Sequence, residues 1–335
     1  MNKTHRNPGW ATRLAHHLRL GVVAGLACAC SAAFAVYPEK PITLVVPFAP
    51  GGSSDIIGRS LGQPLSEKLG QPVVIENVAG AGGVLGTQRE VRAAPDGYTI
   101  LLGSGSEILI NKLINPSISY DASRDLAPVV FVGTGPMVLL GKPSLPANNV
   151  TELLALARAK PGALSYGSAG NGTPMHVAGE LLKMRGNISM THIPYRGAAP
   201  ALVDLLGGQI DLAVSTLSAA QTYIKSGRVK ALAITGAKPS ELAPGLPAMG
   251  MQPGLSGFDL GVWFGLFVPA KTPADVIQKI QTAAQQVLAD PAVRSRLAEQ
   301  GVSASGESAD SLRKFMAAET EKYRAVVKAA HITAE

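Results

Sequence analysis

The chain has 335 residues, 46% of them hydrophobic and 16% charged, with a formal charge of +7. That length suits two cores better than one, and the absence of a clustered Lys/Arg face interleaved with aromatics excludes nucleic acid as a partner. Cys28 and Cys30 are the only cysteines, and both lie in a segment that reads as removable, which excludes disulfides, thiolate metal sites and a cysteine nucleophile from the working protein.

Residues 1–35 read as an export segment. Lys3, Arg6, Arg13 and Arg19 form a basic start without an acid, Leu20–Phe34 is apolar, and Ala33-Phe34-Ala35 is a small-x-small cleavage site after Ala35. Their removal takes four of 30 basic residues, leaving 26 against 23 acidic ones and a charge of +3. No later segment is apolar for long enough to span a bilayer. The periplasm is the expected address.

The mature chain opens with the apolar run Leu44–Val46, the turn Pro47-Phe48-Ala49-Pro50-Gly51-Gly52 and a helical pattern behind Ser53-Ser54-Asp55. Ile57, Leu61, Leu65 and Leu69 repeat every four residues as one buried face, and a kink or break is expected near Pro64. The open amides of such a helix start favour an anion, here a carboxylate. Asp55 is read as a cap on its own helix and Arg59 as a solvated residue.

A second strand at Val73–Glu76 leads into the glycine-rich turn Gly80–Gly83, which includes Gly82, and a third at Tyr98–Gly103 leads into Ser104-Gly105-Ser106. Three such turns at one sheet edge would form a ligand site. Two apolar pieces follow within Ala127–Gly141, parted by Gly133-Thr134-Gly135-Pro136, as a first crossing into a second lobe. Next come a helix from Thr151, the strand Leu164–Tyr166, the turn Gly167-Ser168-Ala169-Gly170-Asn171-Gly172-Thr173 and a helix from Pro174, its favoured first position. Strands at Met190–Pro194, Ile210–Ser215, Val229–Thr235 and Val262–Val268 precede three C-terminal helices. The alternation predicts an α/β fold with mainly parallel sheets. Lobe 1 is expected over residues 36–132 plus about 236–335, and lobe 2 over about 133–235.

Enzyme signatures are missing: no Gly-x-Ser-x-Gly elbow, phosphate loop or His-Glu-x-x-His. No metal or cofactor is expected. A hydrolase using Ser168 and His176 is the rival from another class.

Laid out in order, the motifs Val46-Pro47-Phe48-x-Pro50-Gly51-Gly52-x-x-Asp55, Gly80-Ala81-Gly82-Gly83, Ala94-Pro95-Asp96-Gly97-Tyr98, Tyr166-Gly167-Ser168-Ala169-Gly170, Pro194-Tyr195-x-Gly197, Gly208-Gln209-x-Asp211 and Trp263-x-Gly265 resemble the Bug family, the extracytoplasmic solute receptors of tripartite tricarboxylate transporters. The resemblance implies a type II periplasmic binding protein fold, with two α/β lobes closing over one ligand. It also implies a small carboxylate ligand, membrane transporter subunits as partners, a monomeric state and no chemistry on the ligand. Carried over by position, the ligand-binding residues would be Phe48, Gly51, Gly52, Ser53, Gly167, Ser168, Ala169, Gly170 and Thr173, accompanied by Asp55, Gly82, Ser104, His176 and Asp211. An amino-acid or aromatic-acid receptor and a sensor's extracytoplasmic input are the alternatives.

Overall fold

Buried β-branched runs and helices with one apolar face produce an α/β alternation in the computed structural model, which describes Met1 and residues 37–333. In order, the elements are β1 (Ile42–Val46), α1 (Ser53–Leu69), β2 (Val73–Asn77), α2 (Val84–Val91), β3 (Thr99–Ser104), a π-helical segment (Ser106–Ile110), β4 (Leu126–Gly141), α3 (Val150–Ala159), β5 (Leu164–Ser168) and α4 (Pro174–Gly186). They continue with β6 (Met190–Pro194), α5 (Ala198–Leu206), β7 (Leu212–Thr216), α6 (Leu217–Lys225), β8 (Lys230–Ile234), β9 (Gly261–Pro269), α7 (Ala274–Ala289), α8 (Pro291–Glu299), β10 (Ser303–Ser308) and α9 (Ala309–Ala329). The chain divides into two compact units, Met1–Glu39 and Lys40–Glu335, and all these elements lie in the second. Apart from Met1, the export segment and its cleavage point lie outside the described residues.

The strands run in the order β2-β1-β3-β9-β4-β7-β5-β6, with β8 and β10 also pairing β4. Two parallel groups, β2-β1-β3 and β7-β5-β6, stand at the ends. Between them β9 and β4 pair antiparallel with each other and with their outer neighbours, so the sheet is more mixed than the alternation suggests. The reason is β4, which the glycines and Pro136 do not divide. Leu126–Pro136 pairs with β9 and Met137–Gly141 with β7 and β8. Its prolines and glycines are absorbed by register shifts at Pro128/Val130 and Phe131/Gly133, the kind of irregularity at which such residues belong.

Each parallel group carries its own core. One gathers Val45, Leu101, Phe131, Trp263 and Phe267; the other gathers Val138, Leu140, Leu202, Leu205 and Ala213. Helix α1 buries Ile57, Leu61, Leu65 and Leu69 as the four-residue spacing requires, and it runs unbroken through Pro64. The α3 cap is Asn149, two residues ahead of the expected Thr151. Helix α6 and the edge strand β10 were not foreseen. Strand β10 is written in small polar residues (Ser303-Ala304-Ser305-Gly306-Glu307-Ser308) that carry no alternating pattern.

Candidate functional site

The first side of the site is the turn into α1. Gly51 sits at φ +79°, which lets the chain reverse after Pro50, and the Asn77 side-chain amide donates to the Phe48 carbonyl at 3.0 Å and pins the turn. Gly52 caps the helix without a side chain. Among the described residues, the first-turn amides of Ser53, Ser54 and Asp55 have no acceptor. The Ser53 and Ser54 hydroxyls likewise have no protein partner, although the residues are only 7% and 3% exposed.

Asp55 does not face this opening. One carboxylate oxygen accepts the Gly51 amide at 2.9 Å and the Arg59 guanidinium at 3.0 Å, a reach-back similar to a capping box. Burial alone would raise its pKa; the Arg59 and Gly51 donors outweigh that and hold it below the usual carboxylate range. Arg59 is therefore an ion-pair partner rather than a merely solvated residue, and together the two remove a negative charge from the helix start.

The second side is the turn into α4. Thr173 caps the helix by accepting the His176 amide, Pro174 has no N–H, and Met175 supplies the first open amide. The rest of the loop is tied to itself. Ser168 is fully buried, and its hydroxyl accepts from the Gly170 amide at 3.1 Å and bonds His192 Nε2 at 2.7 Å. The His192 ring stacks on His176, with centroids 4.1 Å apart, and burial pushes its pKa down to about 3, so it is neutral. His176 Nδ1 accepts the Gly172 amide at 3.3 Å. Ser168 thus pairs with His192, not His176, and both histidines brace the turn.

These two helix starts line a narrow pocket of about 20 Å³, room for about one water. Phe48, Gly52, Ser53, Ser104, Ala169 and Thr173 line it from the expected set, joined by Ser54, Ser106, Pro174, Met175, Ala198, Val262 and Phe264. The Ser104 hydroxyl donates to Glu107 at 2.9 Å, and burial pushes that carboxyl up to about 8, so it is mostly uncharged at neutral pH. A wider cleft of about 380 Å³, within the range of small-molecule sites, adjoins the pocket, sharing Phe48 and Ala169 with it and holding Gly82, Gly170, Asn171 and Arg196. Contacts between the two sides close the cavity. Asn111 donates to the Gly82 carbonyl at 2.9 Å, and Ser106 donates to the Gly172 carbonyl at 3.2 Å. A Cβ on Gly82, at φ +61°, would stand 2.5 Å from the Asn171 carbonyl oxygen.

Six expected site residues line neither the pocket nor the wider cleft. Gly51 and Asp55 shape the α1 turn from behind. Gly167 is packed in its strand, where a Cβ would meet Ile210 at 2.6 Å. Ser168 and His176 are internal braces. Asp211 precedes β7 at the end opposite Thr216, held by Lys142 at 2.7 Å and by the Ser165 amide at 2.9 Å. Of the lining residues that sequence reasoning missed, Val262 and Phe264 had a readable signal: they alternate with Trp263, which faces the core.

A mixed sheet with a ligand-sized cleft beside two helix starts suits a binding protein. The comparisons agree. The model of the tripartite tricarboxylate transporter family receptor matches residues 57–332, and the chain belongs to that family. Among solved structures, periplasmic binding protein BugD is 34% identical with a TM-score of 0.84, the match covering 89% of this chain and all of BugD. Rpa4515 of R. palustris, solved with adipate, is 31% identical (TM-score 0.86; 89% of this chain, 99% of that one). MatC of Rhodopseudomonas palustris, with bound malate, is 30% identical (TM-score 0.82; 87% and 100%). This chain is a periplasmic solute-binding receptor with the two-lobed fold of that class.

Proposed function

We propose that the protein captures a small carboxylate between its lobes and hands it to the membrane subunits of a tripartite tricarboxylate-type transporter, working as a monomer after removal of residues 1–35. Lobe 1 comprises residues 36–132 and about 236–335, lobe 2 about 133–235, and β4 is the connection across which they move. The observation that carries the reading is the pair of hydroxyls on Ser53 and Ser54 that line the pocket without a protein partner, beside the open first-turn amides of α1. Donors left unspent in a pocket favour a ligand that arrives with acceptors. The Met175 amide faces the same cavity from the α4 side. The adipate and malate bound by the related structures support the class of ligand.

A thermal-shift screen of the ligand-free protein against carboxylic acids, with their primary amides as controls, tests this. An acid at a hundred times its Kd adds about 2.7 kcal/mol of stability. Shifts with acids and none with amides are expected. A folded, ligand-free protein that no acid stabilises would sink the carboxylate reading.

A further inference from the structure

We infer that Arg196 is the specificity-determining residue for the far end of the ligand, which therefore carries an acid group at each end; this rests on the carboxylate reading above and deepens it. The pocket at the α1 start has room for about one water, enough for one carboxylate oxygen but not for a ligand's body. The body belongs in the adjoining cleft of about 380 Å³, which meets the pocket at Phe48 and Ala169. Among the described residues lining that cleft, Arg196 is the one cation, and no Asp or Glu stands there with it. Such a wall favours a second anion and opposes an ammonium group.

The backbone around Arg196 is fixed while its side chain is uncommitted. The Tyr195 amide donates to the Ser168 carbonyl at 3.1 Å, and the Tyr195 hydroxyl donates to Asp204 at 2.6 Å, which occupies that acid. Gly197, at φ +136°, lies so close to the α1 turn that a Cβ on it would stand 3.6 Å from the Ala49 Cβ. The turn between β6 and α5 is thus seated against the turn between β1 and α1. Between its two anchored neighbours, Arg196 is exposed and, among the described residues, forms no hydrogen bond or ion pair. Ala81 and Gly82 line the same cleft, and their amides have no acceptor among the described residues. Ala81 holds φ +49°, a left-handed conformation uncommon for a residue with a side chain. A guanidinium and open amides in one cleft are the donors that a carboxylate takes.

The two poles belong to different parallel groups of the sheet, since Ser53 and Ser54 follow β1 and Arg196 follows β6. A dicarboxylate bridges them. A monocarboxylate satisfies one pole and leaves the other to water, so only the dicarboxylate gains contacts at both ends on closure. When the lobes part, the poles separate and the ligand is held at one end.

Isothermal titration of the ligand-free protein with length-matched pairs tests this: succinate against butanoate and adipate against hexanoate, with hexanamide as the uncharged control. At least one dicarboxylate should bind about tenfold tighter than its partner or better, and added salt should weaken it more than the partner. Arg196→Ala should cost that dicarboxylate about tenfold more than it costs the monocarboxylate, and Arg196→Lys should recover part of the loss by restoring the charge. Monocarboxylates that bind as tightly as their partners overturn the inference, as does a dicarboxylate preference that survives Arg196→Ala. Urea unfolding of both variants without ligand should match the parent protein; a loss of stability in both would give Arg196 a structural role and overturn the assignment. Failure of every acid to bind refutes the carboxylate reading itself, whereas a missing dicarboxylate preference refutes only the role of Arg196.

Discussion

The Ser53 and Ser54 hydroxyls separate binding from folding, because they line the pocket without forming any bond inside the protein. Ser53→Ala and Ser54→Ala remove nothing from the unliganded structure. Deleting an unpartnered hydroxyl should leave stability unchanged or raise it slightly. With ligand present, each hydroxyl becomes a donor to an anion, and such bonds contribute about 1.5–3 kcal/mol. Each variant should therefore weaken acid binding by about ten- to a hundredfold. Urea unfolding of the ligand-free variants and titration with adipate and hexanoate give the two readouts. Stability lowered by more than about 1 kcal/mol with affinity unchanged would show the hydroxyls to be structural and refute the reasoning. As the internal reference, Ser168→Ala should behave oppositely. It strips a partner from half-buried His192 and from the Gly170 amide, at a cost of about 1–3 kcal/mol in unliganded stability.

Glu107 gives the pH prediction. Its folded pKa of about 8 exceeds the unfolded value of 4.5, so its contribution is full below pH 4.5 and falls as pH rises through 8. At pH 7 the loss amounts to about 3 kcal/mol; Glu107→Gln should stabilise at pH 8 and be nearly neutral at pH 5 in paired urea titrations. Gly82→Ala puts a Cβ where the Asn171 carbonyl already stands, so it should weaken adipate binding by more than tenfold through impaired closure; an unchanged Kd would mean that the Gly82 contact does not accompany binding. Asp211→Asn breaks the Lys142 pair and should lower stability by about 1 kcal/mol without changing Kd in the same titrations, because it stands at the far end of β7.

The parts of the site legible in the sequence are those written by backbone geometry. Gly51-Gly52 ahead of Ser53 and Thr173-Pro174 ahead of an apolar helix announce helix starts whatever lies around them, and both starts line the cavity. What stayed hidden depends on which way a side chain turns. Ser168 and Ser53 look alike in sequence, yet one is turned onto a histidine and the other into open space. Nothing local distinguishes them, since His192 lies 24 residues away on the neighbouring strand. Strand alternation sets Val262 and Phe264 on the face opposite Trp263, but a pocket wall and a core wall share one composition, so the pattern alone does not say which of the two it builds. Strand β4 was divided at its glycines and proline because the bulges that accommodate them arise only from its pairing with β9 and β10.

On the proposed reading, the electrostatics explain how an anion is held at the α1 start without a cation. The two carboxyls near the site are both silenced, Asp55 by Arg59 and Glu107 by its own raised pKa, so the positive end of α1 acts without opposition. Donors of this kind contribute strongly only while water is excluded. Exclusion depends on contacts between residues far apart in the chain: Asn111 on Gly82, Ser106 on Gly172, Gly82 against Asn171. Affinity is then tied to closure. When the lobes part, Ser53 and Ser54 become wet, their bonds to the carboxylate lose most of their advantage over water, and the ligand leaves. A lysine or arginine clamp at this end would keep much of its attraction in the open state. A receptor that must surrender its cargo to a membrane partner is better served by hydroxyls and amides, whose hold ends when the cleft opens.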